Sequence, residues 1–368
     1  MRKLSGLSLV TGALAMVTWM PLGATRQPAP DAFHDSHFHL TNYVQQGIDT
    51  RAFLKIMGTR VGRSTLFGIP LQQQWSYANS GDFAPTYYLQ SDAPLYYYSF
   101  TDAYIASLYR SLTPAEQARF DPMITGFNPA DMYGVDHIRR VLTTFPGVFT
   151  GIGEFSIHKE FVSAKVSGET ASLTNPALDR ILQFAAETGL VTILHNDIDV
   201  PFAKTDAQPA YLSQMLALLK RHPKAMIIWA HTGLGRVVHP VQISAAAPAA
   251  ERPPNHLEIV ESMLADAELS HVSFDISWDE VAKYAVATPQ TIARVAGALN
   301  RYPDRFLFGT DTVAPASAAQ YYAVYDLWAP VWKQLTAEAS EKIRRGNYER
   351  LFDAGRARVR AWERANVR

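Results

Sequence analysis

The chain has 368 residues, with 34 Lys plus Arg balanced by 34 Asp plus Glu, so its net charge is zero. This balance excludes functions that need a basic surface, such as binding nucleic acid or an acidic membrane. Hydrophobic residues make up 48% of the chain and charged residues 18%, which predicts a compact globular protein. Cysteine is absent, so disulfides, thiolate nucleophiles and iron–sulfur clusters are excluded. Any bound metal must therefore be ligated by histidine and carboxylate side chains.

The N-terminus has the layout of a cleavable secretory signal. Arg2 and Lys3 precede an apolar run over residues 7–20, which is followed by small residues. We expect residues 1–24 to be removed and residues 25–31 to form a flexible lead into the domain. A membrane anchor is the alternative, but the run is shorter than the roughly 20 apolar residues that span a bilayer. The sequence thus predicts a periplasmic or secreted protein without a stable membrane span.

Short apolar runs alternate with helical patterns along the rest of the chain, a rhythm typical of repeated βα units. The predicted strands are 32–39, 64–70, 123–127, 147–154, 191–195, 226–231, 272–276 and 305–311. The clearest predicted helices are 175–188, 210–221, 257–267 and 289–299, with a helical tail over 337–363. An open doubly wound sheet would give a similar rhythm, but no glycine-rich phosphate loop follows the first strand. We therefore predict an α/β protein with a (β/α)8 TIM barrel over residues 32–368.

Residues 71–119 interrupt this rhythm between the second and third strands. From Ser64 to Tyr109 the chain has no Lys, Arg or Glu and is rich in tyrosine. A neutral aromatic insertion is typical of a lid or specificity loop over a small ligand. A packing subdomain or a dimer contact is the alternative.

Residues able to bind a metal stand at the ends of several predicted strands. His37 and His39 are two residues apart, so the period-two alternation of a strand places both imidazoles on one face. The other members of the set are Glu154, His195, His231 and Asp311. Barrel enzymes build their active sites at the C-terminal ends of the strands, where these side chains would meet. The set predicts a divalent-metal site that activates water and polarises a carbonyl.

The same residues have plainer interpretations when taken singly. Glu154 could be paired with Arg139 or Arg140, and His195 and His231 could each be hydrogen-bonded core histidines. Within the predicted site, Asp311 would ligate the metal and accept the proton of the attacking water.

Substrate contacts are predicted from their position on the catalytic rim. They are Trp75 after the second strand, Asn196 after the fifth, Arg236 after the sixth and Trp278 after the seventh. The guanidinium of Arg236 suits a carboxylate or carbonyl oxygen. A phosphate-rich ligand is disfavoured because these loops lack clustered Lys and Arg.

The joint pattern resembles the amidohydrolase superfamily of metal-dependent (β/α)8 hydrolases over nearly the whole mature chain. The matching segments are 35–40, 153–155, 194–196, 229–233, 309–311 and the closing helix at 346–352. The resemblance implies that His37 and His39 bind a first metal with Asp311, and that His195 and His231 bind a second. Glu154 would bridge the two ions.

The sequence departs from the commonest two-metal pattern, which has a carbamylated lysine on the fourth strand. Here that position is Glu154, and Lys159 lies five residues on. The Trp-Ala-His-Thr-Gly segment is more similar to the amidohydrolase-related branch, where many members hold one metal. In that case His37, His39, His195 and Asp311 would be the ligands. His231 would then act as a general acid or base. Glu154 would hydrogen-bond to the ligands without contacting the metal itself.

These observations lead to a functional prediction with open alternatives. We expect a hydrolase that cleaves a small ester, lactone or amide, with one or two divalent ions. Zinc is the first choice, and manganese, iron, cobalt or nickel would suit the same ligands. A metal-dependent non-oxidative decarboxylase of an aromatic or unsaturated acid is the main alternative, and an inactive periplasmic binding barrel is a third. The partner is a small-molecule substrate, and the sequence leaves a homo-oligomer open.

Overall fold

A computed structural model describes most of the chain. The described residues are 31–74, 93–160, 162–167, 171–201, 208–235 and 254–367. The predicted signal segment 1–24 and nearly all of the predicted lead 25–31 lie outside these ranges.

Eight parallel strands form one curled sheet in the order in which they occur along the chain. From first to eighth, they are Phe33–Asp35, Val61–Leu66, Phe120–Ile124, Gly151–Ser156, Val191–His195, Met226–Trp229, Val272–Asp275 and Phe306–Leu307. The two edges meet where the Ser36 amide donates to the Phe308 carbonyl at 3.1 Å. Beside this contact, Phe38–His39 pairs in parallel with Thr312–Val313. The predicted (β/α)8 barrel is confirmed.

Helices separate the strands and cover the outside of the sheet. Those in the described part of the chain are Thr50–Met57, Phe100–Arg110, Pro114–Gln117, Gly134–Thr144, Val162–Lys165, Pro176–Thr188, Leu212–Arg221, His256–Ala265, Asp279–Ala285, Pro289–Arg301, Ala318–Leu327, Ala329–Trp332, Ala337–Glu341 and Asn347–Asn366. Short 3-10 turns lie at Ala230–Gly233, Ala267–Leu269 and Pro303–Arg305, and a π turn lies at Lys342–Gly346. In the ranges given above, no helix combines the length and apolar character needed to cross a membrane.

The helix Pro176–Thr188 shows how local sequence sets these boundaries. The Asn175 side chain accepts a hydrogen bond from the Ala177 amide, and proline occupies the first turn, where no amide donor is needed. The helix ends at Gly189, whose φ of 81° is left-handed and suits glycine best. Capping residues of this kind explain why the predicted helix over 175–188 agrees with the observed one to within a residue.

The fifth strand shows how the sheet positions the site. Val191 and Ile193 pack with Ile228 and Leu307 in a buried cluster. Side chains two residues apart lie on the same face of a strand, so His195 extends this face at the strand's C-terminal end. The apolar filling of the barrel thus lies directly beneath the predicted metal ligands.

The predicted insertion, residues 71–119, has two parts in its described residues. Leu71–Gln73 and Leu95–Tyr97 form a separate antiparallel pair beside the barrel. Phe100–Arg110 is instead a helix whose Ile105 is fully buried in the main hydrophobic core. Part of the predicted insertion thus packs on the barrel, and its role as a lid stays a prediction.

Candidate metal centre

The six predicted ligands converge at the C-terminal end of the barrel. Glu154 lies on the fourth strand and His195 ends the fifth, while His231 directly follows the sixth. His37 and His39 follow the first strand, and Asp311 lies beyond the eighth. The first five are at most 5% exposed, and the side chain of Asp311 is 13% exposed. The structure therefore brings the whole predicted set together.

Glu154 lies between two pairs of histidines. Its Oε2 is 3.3 Å from His39 Nε2 and 3.7 Å from His37 Nε2. Its Oε1 contacts His195 Nδ1 and lies 3.5 Å from His231 Nε2. Each carboxylate oxygen thus faces a different histidine pair, as a bridging ligand requires. The alternative pairing with Arg139 or Arg140 is wrong, because Arg139 is bonded to Asp136 and Glu154 pairs with Lys159.

Asp311 approaches three of the four histidines. Its Oδ1 is 3.1 Å from His39 Nε2 and 3.3 Å from His37 Nε2, and its Oδ2 is 4.0 Å from His231 Nε2. Burial opposes ionisation of this carboxyl group, but His231, His39 and His37 outweigh it and lower its pKa. Asp311 is therefore a carboxylate near neutral pH, as a metal ligand must be.

Three polar residues outside the predicted set orient the histidines. Asp275 Oδ2 is 2.9 Å from His37 Nδ1, and Ser277 Oγ is 2.9 Å from His231 Nδ1. Asp197 Oδ1 is 3.0 Å from His195 Nε2. Bonds of this kind fix ring orientation and make the opposite nitrogen a better ligand. Sequence reasoning missed the role of Asp275, although its position at the end of the seventh strand was a usable signal.

Asp35 joins the first and eighth strands beneath the site. Its Oδ1 accepts from the amides of His37 and Thr310, and its Oδ2 accepts from the hydroxyls of Thr310 and Tyr321. Burial raises the pKa of this fully enclosed carboxyl group. The contacts place His37 and the segment leading to Asp311 in a fixed relation, which the sequence alone did not predict.

The backbone adopts left-handed conformations at several site residues. His231, Thr232 and Asp311 have φ values of 55°, 54° and 53°. Such values are costly for residues with side chains and persist where neighbouring contacts hold them. The amide of His231 donates to Asp275 Oδ1 at 2.9 Å, and that of Asp311 donates to the His37 carbonyl at 2.8 Å. These hydrogen bonds hold the backbone of His231 and Asp311 in the conformation that directs both side chains into the cluster.

The donor set fits a divalent metal. His37, His39 and Glu154 offer ligand atoms within 4.8 Å of one another, and so do Glu154, His195 and His231. A third group joins His37, His231 and Asp311. Within the described residues, His37 Nε2 and His231 Nε2 are buried and lack a hydrogen-bond partner. A cation would use both lone pairs, since Asp275 and Ser277 hold the opposite nitrogens.

A cleft opens beside this cluster. Including its open mouth, the cleft spans about 580 Å³. His39, Glu154 and Lys159 contribute its polar wall, and Tyr43, Ile69 and Tyr97 are among its other lining residues.

The predicted substrate contacts have different outcomes. Trp75 and Arg236 lie outside the described residues. Trp278 is buried with its ring centre 5.2 Å from that of His231. Asn196 is not among the residues that line the cleft, and its amide bonds to the backbone of His158 and Asp197. Its side chain holds two loops together, a contact that its position after the strand did not reveal.

Fold and site together define a (β/α)8 barrel with a histidine and carboxylate metal centre at its C-terminal end. The family model for amidohydrolases matches residues 35–354. The chain therefore belongs to the amidohydrolase family, which confirms the predicted family and the predicted class of hydrolytic enzyme.

Solved structures with the same fold are distant in sequence. An amidohydrolase from Burkholderia multivorans with bound zinc is 14% identical at a TM-score of 0.52, covering 88% of this chain and 99% of the other. A candidate 2-pyrone-4,6-dicarboxylic acid hydrolase from Pseudomonas putida is 12% identical at a TM-score of 0.52, covering 88% and 98%. A TIM-barrel protein from Bordetella bronchiseptica is 13% identical at a TM-score of 0.51, covering 88% and 99%. No curated protein matches the chain.

Proposed function

We propose that this protein hydrolyses a small ester, lactone or amide with the help of one or two divalent metal ions. The observation that carries the proposal is the position of Glu154, whose two oxygens face two different histidine pairs. Asp311 completes the first group from the opposite side. Zinc is the first candidate, because it suits imidazole and carboxylate ligands and occupies the Burkholderia multivorans structure.

Each residue has a definite task in this proposal. His37, His39 and Asp311 would hold one ion, His195 and His231 a second, and Glu154 would contact both. A metal held there would lower the pKa of a water molecule and polarise the substrate carbonyl. Asp311, which is ionised near pH 7, would accept the proton of the attacking water.

His231 has a second task if only one ion is held. Burial lowers its pKa, so it is neutral near pH 7. Its Nδ1 contacts the Ser277 hydroxyl, which leaves Nε2 directed toward Glu154 and Asp311. From there the neutral imidazole would accept the proton of the attacking water and then return it to the leaving group.

Lactones belong to the proposed substrate class for a further reason. The Pseudomonas putida relative in fold is named for the hydrolysis of a pyrone, and a pyrone is a cyclic ester. The cleft beside His39 and Glu154 would place such a substrate next to the candidate ligands.

The test is to follow the fate of water and carbon dioxide. The zinc-loaded protein is incubated in ¹⁸O-water with panels of small esters, lactones and amides, and with aromatic carboxylic acids. Hydrolysis will place one ¹⁸O atom in the product acid without releasing carbon dioxide. Carbon dioxide release without ¹⁸O in the product would instead assign the decarboxylase activity. A protein inactive on every panel after loading with zinc, manganese, iron, cobalt or nickel would contradict both.

We further propose, from the sequence of residues 1–24, that the protein is exported. N-terminal sequencing of the protein recovered from a periplasmic fraction should give a chain that begins at Thr25. A chain that retains Met1 would contradict export by a cleaved signal.

A further inference from the structure

Lys159 is a buried cation in the wall of the substrate cleft. Its side chain is 14% exposed, and it is the only Lys or Arg among the described residues that line the cleft. His39 and Glu154 line the same cleft. A molecule that occupies this space therefore touches the metal ligands and the ammonium group at once.

The ammonium group is loosely held by its partner. Nζ lies 3.3 and 3.4 Å from the two oxygens of Glu154, whereas charged hydrogen bonds are normally about 2.7–2.9 Å long. Two surface lysines of this protein, Lys220 and Lys342, reach carboxylates at 2.6 and 2.7 Å. Both oxygens of Glu154 also face histidines. Glu154 is therefore shared, and an ammonium with three donors is left incompletely satisfied.

A buried ammonium is costly unless it is paired. The described wall around it is otherwise largely apolar, with Ile69, Leu71, Ile157, Val162 and Val166 among its lining residues. An anionic group on a bound substrate would supply a second and closer partner beside Glu154. One ammonium matches the single charge of a carboxylate, whereas a phosphate carries more charge and the described lining of the cleft offers no second Lys or Arg.

We propose that Lys159 forms an anion subsite, and that the natural substrate carries a carboxylate close to its scissile ester, lactone or amide bond. The proposal rests on the hydrolase function proposed above and narrows its substrate class. In this arrangement the carboxylate contacts Nζ of Lys159, the body of the substrate fills the apolar cleft, and the scissile carbonyl lies beside Glu154 and His39. Lys159 then determines specificity.

The first test compares two esters that differ only in charge. Mono-4-nitrophenyl succinate carries a free carboxylate, and its methyl ester does not. We expect the zinc-loaded wild type to prefer the charged ester by about 10- to 100-fold in kcat/KM, a value typical of one charged hydrogen bond. The variant Lys159→Met should lose this preference mainly through KM, and Lys159→Arg should keep part of it. Lys220→Met, a change on the surface, is the matched control and should behave as wild type.

The alternative role for Lys159 is to position Glu154. In that case Lys159→Met would lower the hydrolysis of both esters equally and reduce the bound zinc measured by plasma mass spectrometry. That result would overturn the anion subsite. An equal rate on both esters in the wild type would overturn it as well.

A binding measurement keeps the test independent of turnover. Isothermal titration of the zinc-loaded protein with succinamate, which has one carboxylate, should show binding that Lys159→Met weakens at least 10-fold, with neutral succinamide binding poorly to both. Succinamate affinity that is unchanged in Lys159→Met would place the carboxylate on the metal and overturn the proposal. If no ester is hydrolysed but Lys159 still controls succinamate binding, the hydrolase proposal fails while the anion subsite stands.

Discussion

The two ends of the barrel both bury charged groups, but they satisfy them differently. Near the N-terminal ends of the strands, Asp121 is fully buried and accepts bonds from Arg63, Arg356, Thr150 and Tyr348. Its charge is matched by two guanidinium groups and both its oxygens are used. The cluster at the C-terminal end contains four histidines around Glu154 and Asp311.

The difference lies in what remains unpaired. Within the described residues, His37 Nε2 and His231 Nε2 have no hydrogen-bond partner, whereas the oxygens of Asp121 do. A buried ion network with all its partners in place needs no further ligand, whereas buried lone pairs that converge on one point do. The cluster around Asp121 is thus structural, whereas the cluster around Glu154 has the free donor atoms that a metal site needs.

Asp311→Asn should show most clearly that the C-terminal cluster serves activity and not stability. The change removes the proposed proton acceptor and one proposed metal ligand, so kcat/KM for ester hydrolysis should fall by about 1000-fold or more. The melting temperature, followed by circular dichroism, should change little. Asp326→Asn, at an exposed position, is the control. An Asp311→Asn protein with wild-type activity would refute the role of this carboxylate.

Asp121→Asn should have the opposite profile. Removing the buried charge leaves Arg63 and Arg356 uncompensated, and the free energy of unfolding in urea should fall by about 3–5 kcal/mol. Activity per folded molecule should stay within about twofold of wild type, because Asp121 lies at the other end of the barrel. The control is Asp353→Asn, an exposed partner of Arg63, which should cost less than about 1 kcal/mol. Equal losses in the two variants would mean that burial of Asp121 contributes nothing.

His256 lies behind the C-terminal cluster and should make stability depend on pH. Burial lowers its pKa from 6.5 to about 4. Between about pH 6.5 and 4, His256 is protonated in the unfolded chain but not in the native protein. The native state should therefore lose stability as the pH falls through this range. The loss should approach roughly 3 kcal/mol. His256→Gln should show a shallower decline in urea unfolding at pH 7, 5.5 and 4.5. Parallel curves for the two proteins would contradict this assignment.

Asp275→Asn should weaken the metal centre without destroying it. The carboxylate of Asp275 holds His37 by its Nδ1, and removing such a partner typically reduces metal affinity by about 10- to 100-fold. Competition with a zinc chelator measures this affinity directly. Asp279→Asn, four residues on and paired with Lys283 on the surface, should leave it unchanged. If both variants bind zinc as wild type does, Asp275 does not orient a ligand.

The convergence of the candidate ligands could be predicted because it follows one simple rule. In a parallel barrel the C-terminal ends of the strands meet, so His195 and His231 at two strand ends must be close to Glu154 on a third. The eight strands were recognisable by their apolar runs. Neither step requires any knowledge of loop structure.

Supporting residues were harder to predict, because their roles depend on contacts between distant segments. Asp35 and Asp275 are single carboxylates within ordinary strands, and only the closed barrel shows that they hold His37. Lys159 follows the fourth strand, and the turn after that strand decides that it enters the cleft wall. The helix Phe100–Arg110 lies in a neutral, tyrosine-rich stretch without a candidate barrel strand, which the sequence indicates only as an insertion.

Metal content tests the central claim most directly. Plasma mass spectrometry of zinc-reconstituted wild type should find one or two equivalents, and Asp121→Asn should retain them. Changing both His37 and His39 to Asn should remove at least one equivalent, and Glu154→Gln should reduce two equivalents to about one if the carboxylate bridges. A wild-type protein that holds no metal after reconstitution, or a double histidine variant that keeps the full complement, would contradict a metal centre at this end of the barrel.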